Sequence, residues 1–518
     1  MKITSSVKAL VIGVLFLRGI GSVSAEIAHK LVPIEDFFSY SEISSVQVAP
    51  DGKHLAYLAP AQGRLAIMLF DLETGKAEVL ARPTDENISF FFWKGSDTIL
   101  YGGDLGGNES PALVAVNLKT RKFTHLVESL NERTRQDANF GRLVDALRFD
   151  PNHILIAGRS SVGSWHIQLS ILDIRTAERK GIDGGDNETD EWIADNTGVI
   201  RARTRLSGEK NLLEVMPDSK SLFYPIAETP IELSVFGSLT SALIFAADNE
   251  TLYLTKEDSA AGSSLYTYNT RTKQWSEPLF HIENGTIENV TLSWDRTRLI
   301  AARYITEEAH TKWFDPTLEK LTEKIKSSLK PETRIRLASM SQDEKVLAIY
   351  ASSDVDPGTY YLLDLRGKPQ LVQLGKVHSQ LDPAQMQPMK PITYTARDGL
   401  VIHGYLTLPR GAAGKRVPLI INPHGGPYGI RDYWGYNPEV QFLANRGYAV
   451  LQANYRGSGG YGTKFLEAGK LEWGLKMQDD LTDAVNWAID QGIADPKRVC
   501  IYGASYGGYA ALAGVTYT

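Results

Sequence analysis

Near the end of the 518-residue chain, Gly503-Ala504-Ser505-Tyr506-Gly507 spells G-x-S-x-G. It follows the apolar run Val499 to Tyr502 and precedes the small, helix-prone run Tyr509 to Ala513. A serine hydroxyl attacks a carbonyl only where the backbone presents it. A sharp strand-to-helix turn does so, holding the serine in a strained conformation while small neighbours let strand and helix pack closely. The pattern is weak by itself, because a chain with 45 glycines produces it by chance. Its place between a strand and a helix gives it content. Ser505 is therefore the candidate nucleophile, with Gly503, Gly507 and Gly508 as the residues that let the elbow form.

Acyl transfer also needs donors where the tetrahedral oxygen carries charge, supplied by the backbone N–H after the nucleophile and by an earlier loop. Ile421-Asn422-Pro423-His424-Gly425-Gly426-Pro427 is such a loop, following the apolar run Val417 to Ile421. Its glycines let backbone approach a substrate closely. His424 reads as a structural ring rather than a general base, since the base histidine follows the serine in proteins that use this elbow.

These residues must be positioned by alternating strands and helices. Val417 to Ile421, Tyr448 to Leu451 and Val499 to Tyr502 are continuous apolar runs of the kind buried on both faces of a parallel sheet. Met477, Leu481, Val485 and Ala488 recur at helical spacing, with Gly492 where a C-terminal cap belongs. Another helix is predicted from Pro438 to Gly447. Ile392 to Thr395 and Leu400 to Leu408 flank Asp398-Gly399 as a hairpin. The Pro- and Gln-rich stretch from Ser379 to Pro391 reads as a linker.

Upstream the pattern differs. Polar turns close short apolar runs at Asp71, Asn117, Asp173, Asn269 and Asp364, with looser copies at Asp218 and Asp315, spaced 45 to 56 residues apart. That is the length of a four-stranded propeller blade. Strand-turn-strand echoes at Val46 to Tyr57, Leu147 to Asn152 and Leu292 to Leu299 agree with it. The expected fold is a β-propeller of about seven blades followed by an incomplete α/β-hydrolase domain. Residues 1–25 are a signal peptide, 26–385 the propeller with an N-terminal lead-in, and 386–518 the first part of the hydrolase.

Composition narrows the function. A net charge of -6 offers no basic excess for nucleic acid, and 43% hydrophobic content suffices for packed cores. Lys2 and Lys8 precede the apolar run Ala9 to Leu17, and Val23-Ser24-Ala25 is a small-residue cleavage site, so export to a periplasm or the exterior is expected. No later stretch reaches transmembrane length, so no stable membrane association is expected after cleavage. Cys500 is the single cysteine, excluding an intrachain disulfide, and its apolar neighbours predict a buried thiol. Asn87, Asn108, Asn187, Asn249, Asn284 and Asn289 begin N-x-S/T sequons, which matter only in a eukaryotic secretory pathway. No cluster has metal-ligand spacing, so neither a metal nor a cofactor is expected. The oligomeric state is left open.

The motifs His424-Gly425-Gly426-Pro427, Asn454-Tyr455-Arg456-Gly457-Ser458-Gly459-Gly460-Tyr461-Gly462 and Gly503 to Tyr509 behind a propeller resemble the prolyl oligopeptidase family of serine peptidases. More narrowly they are similar to its acylaminoacyl-peptidase and dipeptidyl-aminopeptidase branch. The resemblance implies hydrolysis of short peptides through Ser505, with the backbone N–H groups of Gly426 and Tyr506 as the oxyanion hole. It also implies that Tyr455 and Arg456 shape the wall of the site. Dipeptidyl peptidases of this family hold the substrate's amino terminus with paired glutamates, and Glu307-Glu308 is an adjacent pair whose simpler reading is a solvated loop. The family's triad Asp and His have no counterpart after Ser505, and the last histidine is His424. The expectation is therefore the front part of a longer peptidase. Two other readings stay open: a catalytically inactive propeller protein that binds peptides or partners, and an esterase of the same fold.

Overall fold

The computed structural model describes residues 31–83, 86–105, 111–127, 141–159, 166–182, 186–231, 239–258 and 262–518. The signal segment and the Asn108 sequon lie outside them. Seven antiparallel sheets precede residue 377, each built from consecutive strands, and form the seven blades. Blade one, for example, runs Ser44–Val48, His54–Ala61, Arg64–Asp71 and Ala77–Ala81.

The repeated polar residue has a local job in each blade. Between the third and fourth strands, Asp71 Oδ1 accepts from the N–H groups of Glu73 and Thr74, and Asn117 Oδ1 from Lys119 and Thr120. Asn269 does the same for Arg271 and Thr272. The side chain satisfies the turn's own donors, which is why Asp and Asn recur there. The copy at Asp315 departs from this. Its carboxylate caps helix α2 (Pro316–Lys326), accepting from Thr317 and Leu318, and blade six keeps three strands. The proline at the first helical position and the cap outcompete a fourth strand.

Blades one and seven do not share a strand. They close the ring by packing Ile43, Val46, Val48 and Leu55 against Val346, Ala348, Tyr360 and Leu362. Backbone ties add to this, with Val48 N donating to Ser339 Oγ at 2.7 Å and Gln342 N to Pro50 O at 2.7 Å.

The second domain is one five-stranded sheet. Strands β1 (Met389–Thr395) and β2 (Val401–Thr407) form the antiparallel hairpin closed on Asp398-Gly399. Strands β3 (Val417–Ile421), β4 (Ala449–Asn454) and β5 (Ala494–Ile501) complete the order β1-β2-β4-β3-β5, with β3 parallel to both neighbours. Helices α3 (Pro438–Asn445), α5 (Lys476–Asp490) and α6 (Tyr506–Thr516) cross over it, and α4 (Thr463–Glu467) is a short turn between them. Met477, Leu481 and Ala488 of the predicted stripe are buried with Ala484 on Ile402, Leu419, Leu451 and Ala453, whereas Val485 is only partly buried.

Strand β5 is the edge strand expected where a hydrolase sheet is incomplete. Among the described residues it pairs only with β3, at the edge of the sheet, so Val499, Cys500 and Tyr502 are exposed. Cys500 is therefore an exposed thiol.

The N-terminal lead-in packs on the hydrolase domain, with Val355 of blade seven in the same cluster. In helix α1 (Ile34–Phe38), the Phe37 ring meets Phe442 of α3 edge-on at 5.8 Å, and Val32 N donates to Asn445 Oδ1. Among the described residues no helix is long and apolar enough to cross a membrane.

Candidate active site

The carboxyl ends of the parallel strands converge on Ser505, as ligand sites do in open α/β sheets. Tyr502 N donates to Ile421 O, and Asn422 donates from its side chain to Tyr502 O and from its backbone to Leu451 O. These bonds tie the ends of β3, β4 and β5 at one level. The chain then turns sharply into α6 through Ser505, whose φ is 56° and ψ -121°. For a residue with a Cβ this is sparsely populated, and such strain persists only where surrounding structure enforces it. The enforcement is visible: Gly507 N donates to Ala504 O at 2.9 Å, and Tyr509 N to Ser505 O at 3.0 Å.

Ser505 is exposed. The loop after β3 passes directly over it, so that a Cβ placed on Gly425 would lie 3.4 Å from Ser505 Cβ and 3.9 Å from its Oγ. Gly426, the next residue, is exposed beside it with a φ of 112°. Tyr506 opens helix α6, where leading N–H groups have no intrahelical acceptor. The elbow, Gly425, Gly426 and the Tyr506 backbone thus come together. Gly503 and Gly507 both press against the loop backbone at Pro423, whereas Gly508 has room.

His424 lies beneath this loop. Its Nδ1 is 2.7 Å from Gly425 O, its Nε2 is 2.8 Å from Ser458 Oγ, and its ring stacks on Tyr455 at 4.4 Å. Burial pushes its pKa down to about 4, so the ring is neutral at physiological pH. With both nitrogens engaged it braces the loop.

Tyr455 and Arg456 do not form a wall. Tyr455 is fully buried between His424 and Tyr506, and its hydroxyl donates to His424 O at 2.9 Å. The Arg456 guanidinium is committed to carboxylates, giving bonds of 2.8 and 2.7 Å to Asp480 and of 2.8 and 3.0 Å to Asp398. It locks α5 and the β1–β2 hairpin to the loop after β4. That loop is in turn zipped to the loop over Ser505, through Gly429 N to Gly457 O and Gly459 N to Ile430 O. Both side chains act one layer behind the site.

Sequence reasoning missed Asp398, Asp480 and Ser458. Asp480 carried a signal: a carboxylate within the apolar stripe of an amphipathic helix, now 0% exposed and paired.

Glu307 and Glu308 are half-buried rather than freely solvated. They sit on the blade-six hairpin that touches the hydrolase domain, where Tyr405 hydroxyl donates to Glu307 O and Arg431 to Thr306 O. Glu308 is bound to Arg334. Glu307 Oε1 is 3.3 Å from His403 Nδ1, and its other oxygen is buried with no protein partner. Among the described residues no cluster of His, Cys, Asp or Glu is placed to hold a metal ion.

The chain is similar to several known proteins. Residues 434–518 match the model of the prolyl oligopeptidase family. Dipeptidyl aminopeptidase BIII of Pseudoxanthomonas mexicana is 30% identical over 503 residues, covering 94% of this chain and 70% of that protein. Dipeptidyl peptidase family member 6 of Caenorhabditis elegans is 26% identical, covering 95% of this chain and 69% of its own length. Among solved structures, a puromycin-hydrolyzing peptidase of Mycobacterium tuberculosis superposes with a TM-score of 0.67 at 18% identity, over 94% of this chain and 77% of that one. A prolyl endopeptidase gives 0.69 at 13% identity, over 92% of this chain and 70% of its own, so the propeller-hydrolase fold is shared. From the extent of the match to the Pseudoxanthomonas protein and the shared fold, this chain belongs to the prolyl oligopeptidase family of serine peptidases.

Proposed function

We propose that this protein releases dipeptides from the amino terminus of short peptides. Ser505 Oγ attacks the carbonyl of the substrate's second residue, the remainder leaves as an amine, and water hydrolyses the acyl-enzyme. The N–H groups of Gly426 and Tyr506 stabilise the tetrahedral oxyanion, a contribution of about 10²-fold or more in kcat per donor. The observation that carries this reading is the strained backbone of an exposed Ser505 directly under Gly425. The step also needs a general base, and His424 is unsuited to it because both its nitrogens are engaged. No residue of this sequence is assigned that role.

The dipeptidyl mode is supported by the names of the relatives and by Glu307, a carboxylate at the domain interface whose side chain keeps surface open to a substrate's α-ammonium group. Residues 1–25 direct export, and the mature protein works outside the cytoplasm. N-terminal sequencing of the secreted or periplasmic product checks this by placing the first residue at or near Glu26.

The test compares a dipeptidyl p-nitroanilide with its N-acetylated form and with the matching ester, for wild type, Ser505→Ala and Glu307→Gln. Hydrolysis that requires both Ser505 and a free amino terminus, and that loses its preference for that terminus in Glu307→Gln, supports the proposal. Equal rates on the acetylated substrate would sink the dipeptidyl mode, and turnover confined to the ester would make the protein an esterase. Failure of Ser505 to react with a fluorophosphonate would leave a peptide-binding propeller.

A further inference from the structure

The seven blades enclose an axial channel, and one end of it widens into a cavity of about 430 Å³. Residues at or just beyond the ends of the inner strands of six blades line it, among them Gln47, Trp93, Arg148, Ile244, Thr291 and Ser339. Its position along the axis follows from blade six. Thr286, where the inner strand begins, lies against Gly460 of the hydrolase domain, whereas Leu292, where that strand ends, lines the cavity. Seven extended residues span about 20 Å, so the cavity opens at the propeller face away from Ser505.

Three cations gather there. Lys94 is 2% exposed, and its Nζ donates to the carbonyls of Ala146 and Leu147. Arg148 stacks over the Trp294 ring at 4.7 Å and reaches Trp294 O at 3.4 Å, leaving most of its five donors without a protein acceptor among the described residues. Arg296 is buried beside it, bonded to Asn196 Oδ1 at 2.7 Å, with its Nε unpartnered. Asp145 is the one carboxylate whose charge bears on all three. Asp150 also bears on Lys94, but it is bonded to His153. Nearby Glu344 is bonded to Arg298 and to Trp294 N.

Lys94 and Arg296 are buried, and buried cations without matching anions are costly. That cost is registered in their acidities. Burial lowers Lys94 to about 8, and burial together with the charge of Arg296 lowers Arg148 to about 10. Arg148 itself is exposed and lines the cavity.

We propose that this far mouth of the propeller is an oxyanion-binding site, in which Arg148, backed by Lys94 and Arg296, receives a carboxylate-sized anion. The planar guanidinium presents paired donors that match such a group, and the two tryptophans wall it in. The anion is either a small free ion or the C-terminal carboxylate of a peptide entering the channel opposite the active site. Neither source depends on the dipeptidyl reading.

Calorimetric titration of the full chain with sulfate, acetyl-triglycine and acetyl-triglycine amide tests the site in wild type, Arg148→Gln and Arg148→Lys. If the peptide is the source, the free acid binds at least about 10-fold more tightly than the amide. Arg148→Gln then removes that preference and Arg148→Lys keeps part of it. If a free ion is the source, sulfate binds, Arg148→Gln weakens it about 10-fold, and acid and amide do not differ. Absence of binding by both sulfate and the acid overturns the proposal, as does binding unchanged in Arg148→Gln. Should Arg148→Gln fail to fold, the wild-type comparison of acid with amide, repeated in Ser505→Ala with raised salt, still decides it.

Discussion

A Cβ on Gly507 would lie 2.3 Å from the carbonyl oxygen of Pro423, so helix α6 and the loop over Ser505 touch backbone to backbone. The neighbouring Gly508 is different, since a Cβ there would meet only Gly503 O at 3.4 Å. Two adjacent glycines of one helix are therefore expected to respond oppositely. Gly507→Ala forces backbone apart and should cost about 3 kcal/mol or more, with loss of fluorophosphonate labelling. Gly508→Ala gains helix propensity and should be neutral or stabilising by up to about 1 kcal/mol. Urea denaturation of the two variants measures both.

Strain at Ser505 yields a second expectation. Its φ of 56° and ψ of -121° suit glycine far better than a residue with a Cβ. Ser505→Gly should raise the unfolding free energy by about 1 kcal/mol, while Ser505→Ala, which keeps the Cβ, should not. Both should abolish fluorophosphonate labelling, since each removes the hydroxyl that reacts. A stability gain shared by the alanine variant would show that the hydroxyl, not the backbone, is the source.

Much of this architecture was legible because local chemistry and global fold agree. Each Asp or Asn turn satisfies its own donors, so the blade period survived in the sequence. The hairpin at Asp398-Gly399 and the helix ending at Gly492, with its φ of 73°, were legible for the same reason. Misreadings arose where a long-range partner decides. The family resemblance implied a wall role for Arg456, but its partner Asp480, 24 residues away, commits it elsewhere. Glu307 looked solvated because nothing local marks a hairpin that abuts another domain. The α2 helix at Asp315 was missed because a cap and a blade turn use the same carboxylate.

The Arg456-Asp480 pair is buried, at 3% and 0% side-chain exposure. Removing one partner strands the other charge, so Asp480→Asn should destabilise by about 3 kcal/mol. Asp398, about one-third exposed, is screened by water, and Asp398→Asn should cost under about 1 kcal/mol. Thermal melts of the two variants against wild type give the comparison. Similar losses would mean that Arg456 draws as much support from the hairpin as from α5.

His424 and Asp432 set opposing pH dependences on the same loop. Burial lowers His424 to about 4, below its ordinary 6.5, so the unfolded chain takes up the proton first and stability falls as pH drops from about 6.5 to 4. Burial raises Asp432 to about 7 against the pull of Gln452 and Arg431, so the folded chain holds its proton longer and stability falls as pH rises from about 4 to 7. Across that interval the two slopes nearly cancel in wild type. Asp432→Asn removes the second term, and its unfolding free energy should climb with pH between 4 and 6.5 by up to about 1.4 kcal/mol per unit more than wild type. His424→Gln should show the reverse slope. Parallel curves for all three proteins in chemical denaturation at pH 4.5, 5.5 and 6.5 would show that neither group titrates as its burial dictates.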